Sequence, residues 1–148
     1  MTMGQDYSAK TDARKGTVYS PPQLTFQMIL TPEIREDLVD VSKGLFDPCC
    51  GHGQFPATEI VLRLFFNIDR LDEVTAFCAL STIYGMDVSA KSVDLCKAHM
   101  LDAFCDAFEF FTGREFKNFM IAAHVINRNF AVGDSLNNSA ESRQQTLF

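Results

Sequence analysis

The residues best suited to chemistry in this sequence are concentrated in one short stretch, GLFDPCCGHGQF. It contains two adjacent cysteines, Cys49 and Cys50, followed by His52 between two glycines, Gly51 and Gly53. Thiolates and imidazoles bind zinc, paired thiols support redox exchange, and closely spaced glycines let the backbone approach a bound molecule. The stretch is therefore a candidate metal site, redox site or ligand-binding loop.

The rest of the sequence favours the ligand-binding loop. The chain has five cysteines, an odd number, without a CxxC pair. A zinc site of the finger type needs a second ligand pair, and none follows at the usual spacing. The N-terminal residues have no apolar core of a secretory signal, whereas disulfide frameworks are typical of secreted domains. We expect no metal site, and cysteines that pack as small apolar residues.

Three short apolar runs, GLFD, TIYGMD and NFAVGD, each end in an aspartate: Asp47, Asp87 and Asp134. If the runs are parallel strands, their carboxyl ends meet at one edge of the sheet, where ligands bind. A helix that begins near Gln54 would direct its free amides to the same edge. Three carboxylates there suit a ligand with hydroxyl donors, such as a nucleoside. Alternatively, these acids only cap helices or solvate strand ends.

Hydrophobic periodicity predicts the elements that position these acids. The expected order is helix, strand, helix, helix, strand, helix, helix, strand. Strands separated by helices indicate an α/β protein with a parallel sheet. The predicted helices cover 22–30, a short segment from Thr31, 54–67, 71–80, a segment from Ser89, and 115–127, and the predicted strands cover 44–47 (buried), 82–87 and 129–134.

Composition and charge narrow the class of protein. The 148 residues suit a single domain, and the net charge of −6 makes the chain by itself a poor candidate for tight nucleic-acid binding. No apolar run reaches about 18 residues, so we expect no membrane span and a cytoplasmic location. The 14 phenylalanines suit either a large core or a face that binds a partner.

Four segments together resemble the class I S-adenosylmethionine-dependent methyltransferases, especially the adenine-specific DNA methyltransferases. DPCCGHGQF is similar to their DP-x-CG-x-G-x-F loop, and IYGMDVSAKSVDLCKAHM to their second motif. GTVYSPPQLTFQMIL resembles the segment that precedes the loop, and VINRNFAVGDSL the third motif. The four segments occur in the family's order and span residues 16–136. The resemblance implies a Rossmann-like sheet and S-adenosyl-L-methionine as cofactor.

The resemblance also implies a set of cofactor-binding residues spread over these four segments. They are Tyr19, Ser20, Pro21, Asp47, Pro48, Gly51, Gly53, Asp87, Val88 and Asp134. The first three would approach the methionine moiety, and the next four belong to the cofactor loop. Asp87 would hold the ribose hydroxyls and Asp134 would face the adenine. His52 and Gln54 lie where the family often has small or amide residues, so His52 would crowd or tune the pocket.

The family's catalytic tetrapeptide, Asn/Asp/Ser-Pro-Pro-aromatic, does not occur in the 148 residues. The only Pro-Pro pair follows Ser20 and lacks the aromatic residue. We therefore expect a domain over 16–136, between a disordered tail (1–15) and a flexible tail (137–148), that is truncated relative to a full class I methyltransferase. We expect the isolated chain to be inactive, with no catalytic residue of its own. A second polypeptide would complete the catalytic half and would be the only contact with DNA. The alternatives are a non-catalytic cofactor-binding protein and a protein-interaction remnant of the family.

Overall fold

The computed structural model describes Gln27 and residues 29–136. For the helix predicted over 22–30, Gln27 and Ile29 are helical and Leu30 lies in a turn. Its other residues lie outside the described residues, as do both predicted tails. The elements then follow in the predicted order. They are α1 (Pro32–Val39), β1 (Leu45–Asp47), α2 (Gln54–Phe66), a 3₁₀ turn (Ile68–Arg70), α3 (Glu73–Ser81), β2 (Ile83–Asp87), α4 (Ala90–Thr112), α5 (Phe119–Asn129) and β3 (Phe130–Val132).

The three strands form a parallel sheet in the order β1-β2-β3, so the described part of the chain is α/β with a small parallel sheet flanked by helices. Phe46 is paired with Tyr84, and Met86 with Ala131. This monotonic order is that of one half of a doubly wound sheet, so the fold is compatible with a Rossmann-like architecture. None of the described helices is long and apolar enough to cross a membrane.

Three predicted elements differ from the observed ones. The strand predicted over 129–134 covers only Phe130–Val132, so Asp134 lies two residues beyond its end. The strand over 44–47 was predicted to be buried, but β1 is an edge strand of the described sheet and Phe46 is 41% exposed. The helix predicted over 115–127 begins only at Phe119. The ring of Phe116 packs edge-on between Phe104 and Phe108, with ring centroids 4.9 and 5.2 Å away, and this tertiary packing holds the preceding residues out of the helix.

Helix α4 contributes the main apolar stripe of the core. The Ser89 hydroxyl caps it by accepting a hydrogen bond from Ser92 N at 3.3 Å, as the sequence predicted. Its inward residues recur at spacings of three and four and are all buried: Val93, Cys96, Met100 and Phe104. They pack with residues of α2, α3, α5, β2 and β3 in one continuous core, which fixes α4 against the sheet.

Arg63, near the C-terminal end of α2, is fully buried. Its guanidinium donates a hydrogen bond to Oγ1 of Thr82 at 2.7 Å. It also donates to five backbone carbonyls at 2.8–3.2 Å: those of Asp37, Leu38, Asp40, Lys43 and Ala79. One side chain therefore joins the end of α1, the loop that leads into β1, and the end of α3 just before β2.

We expect Arg63→Met to lower the free energy of unfolding by about 3–5 kcal/mol, because it leaves several buried carbonyls without a donor. Arg63→Lys should recover only part of this loss, since one ammonium cannot reach all six acceptors. The matched control is Arg128→Met, which removes an exposed arginine and should change stability by less than about 0.5 kcal/mol. Urea unfolding measures all three, and equal effects of the two methionine variants would contradict this role for Arg63.

Candidate ligand site at the carboxyl edge of the sheet

The loop between β1 and α2 folds back over the end of β2. Cys50 N donates to the Met86 carbonyl at 2.9 Å, and Gly53 N donates to the Cys50 carbonyl at 2.8 Å. Gly51 and Gly53 have φ values of 52° and 92°, in the left-handed region that favours glycine. The loop therefore forms a tight turn that ends at the first residue of α2.

Asp87, at the end of β2, connects three parts of this edge. Its Oδ2 accepts a hydrogen bond from Gly51 N at 3.0 Å, and its Oδ1 accepts one from Ser89 N at 2.9 Å. Its backbone carbonyl accepts a hydrogen bond from Gly133 N at 2.9 Å. The aspartate thus fixes the glycine loop, the start of α4 and the end of β3 relative to one another.

The segment after β3 also reaches the loop. Ser135 Oγ donates to the Pro48 carbonyl at 3.2 Å, and Asp134 Oδ1 accepts a hydrogen bond from Leu136 N at 3.0 Å. Burial raises the pKa of the Cys49 thiol first, and the charges of Asp47, Asp87 and Asp134 raise it further. The hydrogen bonds of Asp87 to Gly51 N and Gly133 N and of Ser135 to Pro48 bring the segments that carry Asp47, Asp87 and Asp134 together at one edge of the sheet.

Two helices begin at this edge and add partial positive charge. Gly53 is the N-cap of α2 and Ser89 is the N-cap of α4. The first backbone amides of a helix lack partners within the helix, so they favour carboxylates and other acceptors nearby. The imidazole of His99, in the third turn of α4, lies 3.1 Å from the His52 carbonyl, measured from Nδ1, which links the loop to the body of α4.

Glu59 is a functional candidate that the sequence analysis missed. Burial raises its pKa to about 7, and the charge of Asp47 adds to this effect while Arg63 opposes it. Burial also raises the pKa of Asp47, and Asp87 contributes. The sequence signal for this residue was a glutamate that begins the apolar run EIVLRLFF and lies four residues before an arginine. Two carboxyl groups with raised pKa values, at the end of β1 and within α2, therefore flank the loop in the chain.

The cysteines play two different structural roles. Cys50 and Cys96 are buried and their thiols are in contact, whereas Cys49 is exposed. The prediction that both loop cysteines pack in the interior was therefore right for Cys50 and wrong for Cys49, which lies on the outer side of the turn. Among the described residues, no group of three or more histidine, cysteine or acidic side chains is arranged to hold a metal ion.

Of the other predicted site residues, Pro48 and Val88 belong to the described part of the chain. Pro48 lies in the loop and accepts the hydrogen bond from Ser135, and Val88 is 63% exposed at the rim. Tyr19, Ser20 and Pro21 lie outside the described residues. His52 and Gln54 are half-buried at the turn.

Two cavities show where space is available. One, of about 260 Å³, lies between α2 and α4 next to the glycine loop. The residues that line it include Gln54, Thr58 and His99. A larger one of about 370 Å³ lies beyond the other end of α4, around Phe108 and Arg114. A ligand held by the three aspartates would not occupy the larger cavity, so cavity size does not identify this site.

Comparison with protein-family models, with curated proteins and with solved structures returned no match.

We expect Gly53→Ala to destabilise the protein more than Gly113→Ala. Both glycines have positive φ, which costs a non-glycine residue about 1–2 kcal/mol. A Cβ at Gly53 would also lie 3.1 Å from Cys96 Sγ and 3.2 Å from its Cα, whereas a Cβ at Gly113 has nothing within 4 Å. Overpacking should add roughly 1–3 kcal/mol at Gly53. Urea unfolding compares the two, and equal losses would show that the loop does not press on α4.

Glu59 should make the folded state sensitive to pH. Its folded pKa of about 7 lies above the ordinary value of 4.5, so the folded protein holds this proton more tightly than the unfolded chain. Stability from this group should fall as pH rises from about 4.5 to about 7. Glu59→Gln should reduce that slope and stabilise the protein more at pH 8 than at pH 5. Glu109→Gln, at an exposed position, is the control. Denaturant unfolding at each pH measures both, and an unchanged slope would contradict the assignment.

Proposed function

We propose that this chain binds S-adenosylmethionine at the carboxyl edge of its sheet, as the cofactor-binding part of an adenine-specific DNA methyltransferase-like enzyme. The observation that carries the proposal is the junction of the glycine loop with the acid of β2, where Gly51 N donates to Asp87 at 3.0 Å. The two motifs that resemble the methyltransferase loop and ribose-binding segment are thus in direct contact, which supports their acting on one ligand.

Asp87 retains the capacity to hold a ribose. An ionised carboxylate has about four acceptor sites on its two oxygens. The hydrogen bonds from Gly51 and Ser89 use one site on each oxygen, and the side chain is only half-buried. A pair of ribose hydroxyls can therefore donate to the remaining sites while the loop stays in place.

The charge of this edge suits the methyl donor. The sulfonium of S-adenosylmethionine is a cation, and its methyl group is electrophilic. Burial raises the pKa of the Cys49 thiol in the loop, and the charges of Asp47, Asp87 and Asp134 raise it further. The same negative field favours a cationic ligand over an anionic one. Methyl transfer is direct, so the main contribution of such a site is to position the donor.

The base-side chemistry has no counterpart in the 148 residues, because they contain no Asn/Asp/Ser-Pro-Pro-aromatic tetrapeptide. That tetrapeptide holds the flipped adenine and hydrogen-bonds its attacking amine in the family. We propose that a second polypeptide supplies it, and that DNA is contacted through that polypeptide. The net charge of −6 supports this division.

One observation favours a non-catalytic alternative. Both carboxylate oxygens of Asp87 already accept backbone hydrogen bonds, so the edge is well satisfied without any ligand. A remnant of the family that only binds another protein would keep these bonds for stability. Titration calorimetry with S-adenosylmethionine and S-adenosylhomocysteine distinguishes the two. Saturable binding at micromolar affinity supports the cofactor site, and no heat at millimolar cofactor contradicts it.

We expect Asp87→Ala to weaken S-adenosylmethionine binding by more than about tenfold, because the ribose hydroxyls lose their acceptors. Asp106→Ala, which removes an exposed acid from the middle of α4, is the control and should bind normally. Titration calorimetry gives the affinities, and thermal unfolding identifies a variant that fails to fold. A folded Asp87→Ala protein with unchanged affinity would contradict the ribose role.

A further inference from the structure

We infer that this protein associates with a second copy of itself, and that Phe110 of one copy inserts into an apolar groove between α3 and α5 of the other. The groove is lined mainly by Val74 and Phe77 of α3, by Phe116 and by Ile121 of α5. It adjoins the larger cavity at the far end of α4 and shares no lining residue with the candidate ligand site. The inference is therefore independent of the proposed function.

The groove is formed by a fixed contact between α3 and the segment before α5. The carboxylate of Glu73 accepts hydrogen bonds from Lys117 N at 3.2 Å and from Asn118 Nδ2 at 3.3 Å, so this acid is already satisfied. The groove has a volume of about 250 Å³. A cavity of roughly 150 Å³ is enough to hold benzene. The groove therefore has room for the ring of a phenylalanine.

The walls of the groove are exposed apolar side chains. Val74 is 70% exposed on one wall and Ile121 is 49% exposed on the other. Met120, directly before Ile121, is 71% exposed and extends the apolar surface. Scattered apolar residues are normal on a protein surface, but a continuous patch around a groove is typical of a binding site.

Phe110, near the C-terminal end of α4, is the side chain that fits this groove. It is 83% exposed. Its ring packs edge-on against Phe111, with the centroids 5.6 Å apart, and Phe111 in turn contacts Phe65 at 5.9 Å. These contacts hold the exposed ring in place, so it loses little conformational freedom on binding. Aromatic side chains that fill a pocket on the partner are the typical hot spots of protein interfaces.

The groove has a basic rim. Lys117 belongs to the segment that joins α3 at the groove, and His124 and Arg128 lie three and seven positions after Ile121 on α5. All three basic side chains are exposed. Residues 116–133 contain no acid, although Asp and Glu outnumber Lys and Arg by 19 to 13 in the whole chain. This part of the surface therefore favours an acidic partner.

Phe110 carries the complementary charges beside it. Asp106 lies one turn before Phe110 on α4 and Glu109 lies directly before it, and both acids are exposed. Charges more than about 8 Å apart are largely screened at physiological ionic strength, so these local charges outweigh the net charge of −6. Phe110 does not line the groove of its own chain. An exposed apolar side chain that fits a pocket elsewhere on the same protein joins one copy to the next.

Sedimentation equilibrium of the full chain over a range of concentrations tests the association. One ring in one groove buries less area than a stable dimer needs, so we expect a dissociation constant in the micromolar to millimolar range. Phe110→Ala removes the inserted ring, and Val74→Glu places an acid in the groove wall. Each should raise the dissociation constant by at least about tenfold. Leu95→Ala and Val88→Glu change residues of similar type and exposure outside both surfaces, and they should leave it unchanged.

A mixture of the two variants tests the insertion itself. Both substitutions are at exposed positions, and an acid suits the first turn of α3, so thermal unfolding should show two folded proteins. The groove of the Phe110→Ala chain is intact and can receive Phe110 of the Val74→Glu chain. We expect the mixture to form a dimer at concentrations at which each variant alone is monomeric. A mixture that stays monomeric would contradict the insertion.

Carbodiimide crosslinking of isotopically light and heavy chains identifies the occupant of the groove. The reagent joins amines to carboxyl groups in contact, and mixed labels mark a link between two copies. We expect Lys117 of one copy to be linked to Asp106 or Glu109 of the other. A link from Lys117 to residues 1–26 or 137–148 of the same chain would mean that the chain fills its own groove. That result, or a chain that is monomeric at every concentration, would overturn the inference.

Discussion

The structure depends most on the buried guanidinium of Arg63. Strands β1 and β3 have three residues each and β2 has five, so few ladder hydrogen bonds hold the sheet. Arg63 gathers carbonyls from the end of α1, the loop before β1 and the end of α3, and it bonds the hydroxyl of Thr82 just before β2. It thereby fixes where two strands begin. Because the strands are so short, it also fixes where they end, and the acids lie at those ends.

A buried cation is costly unless its surroundings compensate for it. Here most of the compensation comes from carbonyls at helix C-termini, which carry partial negative charge. Burial nevertheless lowers the pKa of Arg63. Glu59, Asp40 and Asp37 add opposing charge that favours the cation. Glu59 interacts with Arg63 on one side and with Asp47 on the other, so its proton links the scaffold electrostatically to the candidate site.

Local signals were sufficient to predict much of the scaffold. The Ser89 cap, the apolar stripe from Val93 to Phe104 and the aspartates that end β1 and β2 all depend on neighbouring residues in the sequence, and the structure has each of them. The role of Arg63 could not be predicted this way, because its acceptors are separated from it by 16 to 26 positions in the chain. The late start of α5 likewise depends on where Phe116 packs, which requires the positions of α4 and α3.

The convergence of the three strand ends depends on a glycine that the sequence analysis did not single out. Gly85, in the centre of β2, is crowded by β3 and by the loop after β1. A Cβ there would lie 2.6 Å from the ring of Phe130 and 3.0 Å from Cβ of Cys50. Any larger residue would therefore push both neighbours away from β2. The absence of a side chain lets the loop of β1 and the start of β3 close over β2 from two sides. The charges of Asp134 and Asp47 can then act on the same thiol, that of Cys49, although nearly ninety residues separate the two aspartates along the chain.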